Sequence, residues 1–203
     1  MVTKIKEIAI KHTSLQIIRD EHSSLVAMLR SMNMMVDRGP GDNPEQFFDV
    51  LRAMLFYIDE FPERLHHPKE SDLLFPRVVR ASPSVMAAVE KLESDHMNGE
   101  KAVRELQHLL LAWELLGEPR RPAFTAQCKQ YTAFYLEHMR LEETVILPEA
   151  EKVLTEVDWK ELDTAFEKNC DPLTGKYPPD PAYDRLFTRI VMRAPAPIGL
   201  GSS

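Results

Sequence analysis

A short phrase that joins histidine, glutamate and proline occurs twice in this 203-residue chain, and the second copy begins 72 residues after the first. In each copy a glutamate follows the first histidine by four residues, and a proline follows it by ten. The two copies are HHPKESDLLFP at residues 66–76 and HMRLEETVILP at residues 138–148. A spacing of four places histidine and glutamate on one face of a helix, about 6 Å apart along its axis. The chain therefore repeats a polar pair where a core-facing helix should carry apolar side chains.

Four long segments have apolar residues at helical spacing, and proline- and glycine-containing breaks at 38–44, 81–84 and 117–122 separate them. Asn43 and Ser82 are the predicted N-caps of the second and third segments, because proline follows each at the first helical position. No segment alternates with the period of two that is typical of a strand. The sequence therefore predicts an all-α protein, an up-down-up-down four-helix bundle without a sheet.

The bundle is expected to occupy residues 13–155, after an N-terminal extension of residues 1–12. The pattern changes beyond it, and residues 156–203 are expected to form a short C-terminal helical extension. Asp158 is the predicted N-cap of a fifth helix because Glu161 follows three residues later, as in a capping box. A last short helix is expected to end before a frayed tail.

Charge and composition exclude several classes of function. The formal net charge of −7 and the scattered basic residues argue against a nucleic-acid partner. No apolar run is long enough for a membrane helix, and the N-terminus does not resemble a secretion signal. Cys128 and Cys170 are expected to be unpaired thiols, which is typical of a reducing compartment. We therefore expect a cytoplasmic protein without a membrane partner.

Each of the four segments carries one histidine at a position that the helical spacing assigns to the core. These are His22, His66, His96 and His138. Any one of them is well explained as a hydrogen-bonded core residue. The joint arrangement favours metal binding, because Glu70 and Glu142 would face each other in the same core, and buried carboxylates cost several kcal/mol each unless positive charge compensates them. Imidazole and carboxylate ligands suit iron, manganese or zinc, and more than four donors indicate two ions.

Four stretches in succession resemble the signatures of hemerythrin-like (HHE cation-binding) domains, over roughly residues 13–155. They read RDEHSSL, HHPKESDLLFP, LESDHMNGE and EHMRLEETVILP. The resemblance implies a non-haem di-iron centre with an oxo or hydroxo bridge, for which manganese or zinc are substitute ions. It also implies a set of ligands by position. The bridges would be Glu70 and Glu142, one iron would take His22 and His66, and the other would take His96 and His138.

Glu100 departs from the pattern of the oxygen-carrying members, which have a further histidine four residues after the histidine of the third helix. Glu100 is therefore either a seventh metal ligand or a solvated residue beside Gly99. As a ligand, its negative charge would stabilise ferric iron and favour sensing or redox chemistry over oxygen carriage. His67 is expected outside the ligand set, because it points about 100° away from its neighbour on a regular helix. Pro68 would have to kink that helix to turn it inward.

The resemblance leaves three functions open. The first is a protein that binds or senses O₂, NO or peroxide. The second is a redox enzyme that reduces such molecules or delivers iron for repair, and the third is an iron-storage protein. Storage is favoured because Glu63 and Glu93 each lie three residues before a histidine, a spacing that ferritin-like iron proteins use. In the fourth segment, however, Tyr135 and not a glutamate lies three residues before the histidine. The C-terminal residues are too few for a signalling domain and are expected to cap the bundle or to form a homodimer contact.

Overall fold

The computed structural model describes residues 12–174 and 181–201. The predicted N-terminal extension lies outside these residues, apart from His12, whose ring stacks on Trp159 with centroids 4.2 Å apart. Within the described residues the chain is helical, and the nearest approach to a sheet is an isolated bridge between Pro195 and Gly201. The predicted all-α fold is confirmed.

Four long helical segments make the bundle. The first is α1 (Thr13–Arg38), and the third is α5 (Met86–Leu116). The second comprises α2 (Pro44–Ile58), α3 (His67–Lys69) and α4 (Phe75–Ala81), with π-helical turns Asp59–His66 and Glu70–Leu74 between them. The fourth comprises α6 (Arg121–Leu141) and α7 (Leu147–Val153), with the π-helical turn Glu142–Ile146 between them. Helix α1 contacts α2 and α6, and α5 contacts the same two helices, as the up-down-up-down order requires.

The N-caps show where local sequence rules hold. The predicted cap at Asn43 is confirmed, since its side chain accepts the backbone N–H three residues later. Ser82 occupies the predicted N-cap position, with Pro83 first in the 3₁₀ turn Pro83–Val85 that leads into α5, but its hydroxyl donates to Glu149 and makes no capping hydrogen bond. The predicted cap at Asp158 is wrong. Helix α8 (Glu156–Phe166) begins earlier, and Thr155 and Asp158 exchange hydrogen bonds in a capping box.

Two apolar clusters fill the bundle, one toward each end. The larger packs around Trp113 and Leu29, and the smaller around Phe166 and Ile18. Between them lies a layer of buried histidine and glutamate side chains. The functional residues therefore lie at mid-height in the bundle, walled from water on two sides by close-packed hydrocarbon.

The C-terminal extension packs against the bundle: α8 contacts α1, and α9 (Asp184–Arg193) contacts α2. The described part of the predicted frayed tail is also packed. The Ser31 hydroxyl donates to the carbonyl of Pro195 and accepts from the backbone of Ile198, at 2.9 and 3.1 Å. The expectation of fraying is thus wrong for residues 194–201. Over the two described ranges, none of the helices has both the length and the apolar character that a membrane span requires.

Candidate metal centre

Both copies of the repeated phrase fold into the same local structure. A five-residue π-helical turn begins at Glu70 in one copy and at Glu142 in the other. In both copies the proline, Pro76 or Pro148, is the second residue of the α-helix that follows. Proline has no N–H to donate, and its ring collides with the carbonyl four residues earlier, so regular α-helical bonding is interrupted just before it. The spacing that the two copies share therefore corresponds to a widened helical turn that begins at each glutamate.

A third π-helical turn, Asp59–His66, precedes the first copy and contains Pro62. In this widened backbone His66 and His67 both face the interior, with only 4% and 5% of their surface exposed. The expectation that His67 points away from the site is therefore wrong. It assumed 100° per residue, and the π-helical turns on both sides of α3 do not keep that rotation.

The buried histidines and glutamates form two groups that share one residue. In each group, one nitrogen or oxygen atom per side chain lies within 4.8 Å of those of the other members. The first, which we call the His22 group, consists of His22, His66, Glu70 and Glu142. The second, which we call the His96 group, consists of His67, Glu70, His96 and His138. The structure thus brings together the four histidines and two glutamates that were expected as metal ligands and adds His67 to them.

Glu70 lies between the two groups. Its Oε1 is 2.7 Å from His66 Nε2, and its Oε2 is 3.3 Å from His96 Nε2. Glu142 is on the His22 side, with its Oε2 3.3 Å from His22 Nε2. Both glutamate side chains are fully buried. One carboxylate therefore reaches both groups, as a residue that bridges two cations must.

Most of the buried side-chain atoms that lack a hydrogen bond in the described residues belong to these two groups. They are His66 Nε2, both carboxylate oxygens of Glu70, His96 Nε2, both ring nitrogens of His138 and both carboxylate oxygens of Glu142. Folded proteins rarely leave buried polar atoms without partners, because each one costs free energy. Lone pairs of nitrogen and oxygen that converge without donors fit a pair of metal cations.

Two imidazoles of the His96 group, those of His67 and His138, are suited to binding a metal because burial favours their neutral forms. Burial lowers the pKa of His67 well below its usual value, and repulsion from His96 acts in the same direction. Burial likewise lowers the pKa of His138 to about 3. A neutral imidazole keeps a lone pair for a metal ion, which a protonated ring lacks.

The His22 group has a different charge balance. Burial opposes protonation of His22, but attraction to the Glu142 carboxylate, 3.3 Å away, and a hydrogen bond to Glu143 raise its pKa to about 9. Burial and repulsion from Glu70 raise the pKa of Glu142 to about 7. Burial also disfavours the charged form of Glu70, yet attraction to His66 holds the pKa of this carboxyl well below its usual value. Protons therefore supply in this group the positive charge that a bound cation would supply.

Polar partners behind the histidines turn their inner nitrogens toward the centre. His22 Nδ1 lies 2.8 Å from Glu143, His66 Nδ1 lies 2.6 Å from Glu21, His67 Nδ1 lies 3.2 Å from Glu63, and His96 Nδ1 lies 3.0 Å from Ser71. An acceptor on one ring nitrogen fixes the proton there and leaves the lone pair on the other nitrogen for a metal. Sequence reasoning did not identify Glu21, Glu143 or Ser71, because pairing across helices has no local signal.

Glu63 also accepts hydrogen bonds from the hydroxyls of Tyr131 and Tyr135. Burial raises the pKa of Glu63 to about 7, against the effect of the two tyrosine hydrogen bonds. In the sequence, the spacing of Glu63 ahead of His66 is one of the two that favour iron storage. In the structure it lies behind His67 and belongs to neither group of converging donors.

Glu100 lies outside both groups. Its side chain is 52% exposed and forms an ion pair with Arg104, one turn further along α5. The ring of His67 stacks on His96 with centroids 4.2 Å apart, so an imidazole from the second segment lies where a donor following His96 was expected. The structure therefore favours the solvated alternative for Glu100, and the argument that its charge stabilises ferric iron loses its support.

A small enclosed cavity adjoins both groups. Its walls include His22, His66, His67 and His138, and Tyr57 and Asp171 complete one side. About 10 Å³ is open to the centre of a water-sized molecule, which is the space that one such molecule requires. The site can thus admit a ligand of two or three atoms beside the converging donors.

Comparison with models of known protein families gives a match over most of the chain. The family model described as the hemerythrin HHE cation binding domain matches residues 13–150. No curated protein sequence matches the chain. The matched residues include every member of the His22 and His96 groups, and they end before Asp171.

Proposed function

The chain belongs to the hemerythrin HHE cation-binding domain family, and we propose from this that it is a non-haem di-iron protein that binds or senses O₂, NO or peroxide. The observation that carries the proposal is the convergence of two groups of buried donors on one shared carboxylate, Glu70. Two iron ions would supply an open coordination position and the electrons that binding or reduction of such ligands requires.

We propose that each group holds one ion. His22 and His66 serve one position, and three imidazoles, including that of His67, serve the other. Glu70 would bridge the two positions, and Glu142, which the resemblance also assigns as a bridge, would serve mainly the position of the His22 group, of which it is a member. The distances of Glu70 to histidines of both groups support its assignment directly. Support for Glu142 comes from its full burial and from carboxylate oxygens without hydrogen bonds.

The surroundings of the centre favour a very small ligand. The adjoining cavity has room for one water-sized molecule, and apolar clusters close the bundle at both ends. The size of this cavity supports binding or sensing of a small ligand at the metal positions.

The test is reconstitution of the metal-free protein with Fe²⁺ without oxygen, followed by elemental analysis and visible spectra. We expect about two irons per chain, and an absorption band that appears in air and disappears when O₂ is removed. Glu70→Ala is the matched control and should retain little iron. One iron or fewer in the parent protein would contradict a di-iron centre.

A redox enzyme is the second candidate, because buried hydroxyls of Tyr131 and Tyr135 connect through Glu63 to His67. Buried tyrosines beside a metal position are groups that can exchange an electron and a proton with it. The same experiment distinguishes the candidates. A band that does not reverse on removal of O₂, together with turnover of added peroxide or NO, would favour the enzyme.

A further inference from the structure

A chain of polar side chains connects the C-terminal extension to the His22 group. Asn169 follows α8 in the short 3₁₀ turn Glu167–Asn169, and only 4% of its surface is exposed. Its Nδ2 donates a hydrogen bond of 2.9 Å to Glu21 Oε2. The same oxygen lies 2.6 Å from Nδ1 of His66. A residue beyond the family match thus contacts the carboxylate that orients a proposed metal ligand.

The orientation of the Asn169 amide is determined by its two partners. Lys69 donates to Asn169 Oδ1, and an ammonium group has no acceptor to offer. Glu21 on the other side accepts from Nδ2. The amide oxygen must therefore face Lys69, and the amide N–H must face Glu21.

The turn that carries Asn169 is held on both sides. Helix α8 precedes it and packs on α1, the helix that carries Glu21. Two residues after Asn169, Asp171 accepts a hydrogen bond of 2.7 Å from the Tyr57 hydroxyl. Asn169 is therefore fixed relative to Glu21 by the fold, so its hydrogen bond costs little side-chain entropy.

We propose that Asn169 is a positioning residue for one of the two metal positions. By fixing Glu21 it holds the Nδ1 side of His66, and this keeps Nε2 on the side of Glu70, 2.7 Å from Oε1, where it could bind a metal ion. Among the described residues the hydrogen bonds of Asn169 and Glu21 lead to His66, whereas His96 in the other group is oriented by Ser71. Asn169 therefore strengthens metal binding in the His22 group and not in the His96 group. The proposal rests on the proposed di-iron function.

The test compares Asn169→Ala and Asn169→Asp with Cys170→Ser, a matched control at the next residue, whose thiol donates to the backbone carbonyl of Glu167. Each metal-free protein is titrated with Co²⁺, whose visible bands report the ligands of each ion. Loss of a residue that orients a metal-binding histidine typically weakens metal binding 10- to 100-fold. We expect one of two binding steps to weaken by about that factor in both Asn169 variants, and neither step to change in Cys170→Ser. Ser71→Ala should weaken the other step.

A measurement without metal keeps the proposal testable apart from the di-iron function. In the metal-free protein, the Nδ1 proton of His66 should give a protected, downfield proton resonance, which Asn169→Ala should broaden or abolish and Cys170→Ser should preserve. Circular dichroism verifies that each variant is folded. Two unchanged Co²⁺ steps in Asn169→Ala, or equal weakening of both, would overturn the proposal. If the parent protein binds one ion or none, the di-iron function fails, and the resonance alone decides whether Asn169 positions His66.

Discussion

The imidazole rings of His67 and His96 stack almost in parallel, with centroids 4.2 Å apart and planes at 13°. This contact joins the second and third helical segments at the centre of the bundle. Through it the second segment contributes an imidazole to the His96 group, in addition to those of His96 and His138. The place that the family pattern gives to a residue one turn after His96 is therefore filled from across the bundle.

This arrangement predicts opposite results for two substitutions. His67→Ala should weaken metal binding in the His96 group by at least tenfold, because it removes a buried neutral imidazole. Glu100→Gln should leave both binding steps unchanged, because that side chain is exposed and paired with Arg104. Isothermal titration of the metal-free variants with Zn²⁺ measures both steps. Weaker metal binding in Glu100→Gln, together with unchanged binding in His67→Ala, would reverse the assignment.

The two buried glutamates should differ in the number of ions that they retain. Glu70 is a member of both groups, whereas Glu142 is a member of the His22 group alone. Glu70→Ala should therefore lose both ions, and Glu142→Ala should lose one ion more readily than the other. Elemental analysis after gel filtration, with a chelator present, gives the stoichiometry. Equal retention in the two variants would show that the two carboxylates have the same role.

Much of the fold could be predicted from the sequence, because helical periodicity and proline breaks are local signals. The inward faces of the four segments follow from spacing alone, and the structure brings together the histidines and glutamates on them. The inward position of His67 could not be predicted, because a π-helical turn changes the rotation per residue. A proline in the sequence indicates that such a turn can form nearby, but it does not determine at which residue the helix widens. Contacts such as that of Asn169 with Glu21 join residues 148 apart, and no local pattern records them.

Gly99 illustrates a position where packing overrides helix propensity. A Cβ atom there would overlap the hydroxyl oxygen of Tyr135 and lie 3.0 Å from Glu63 Oε1. Alanine usually stabilises a helix by about 1 kcal/mol relative to glycine, but overpacking costs about 1–3 kcal/mol. Tyr135 cannot withdraw, because it is buried and bonded to Glu63. We therefore expect Gly99→Ala to destabilise the protein.

Urea unfolding of the metal-free protein measures this effect. Tyr135→Phe removes the overlapping oxygen, so the double variant should be more stable than the sum of the single effects predicts. Asn98→Ala, an exposed substitution in the same turn, is the control and should change the free energy of unfolding by less than about 0.5 kcal/mol. Additive effects of the two buried substitutions would show that the hydroxyl does not restrict Gly99.

Asp171 predicts a dependence of stability on pH. Burial raises the pKa of this carboxyl to about 6, from an ordinary value of 3.8, although hydrogen bonds from Tyr57 and the backbone of Leu173 oppose the shift. Between these two values the unfolded chain has released the proton and the folded chain retains it. The free energy of unfolding therefore falls as pH rises through this window, by up to about 3 kcal/mol for this group.

Asp171→Asn should remove this contribution, because an amide does not ionise. Urea unfolding of both proteins at intervals from pH 4 to pH 7, with a chelator to exclude metal, gives the difference in the free energy of unfolding. We expect the parent protein to lose stability relative to Asp171→Asn as pH rises to about 6 and the difference to be constant above it. Tyr57→Phe should extend the fall to higher pH, because the Tyr57 hydrogen bond lowers the pKa of Asp171. Parallel stability curves for the parent protein and Asp171→Asn would show that Asp171 ionises alike in the folded and unfolded chains.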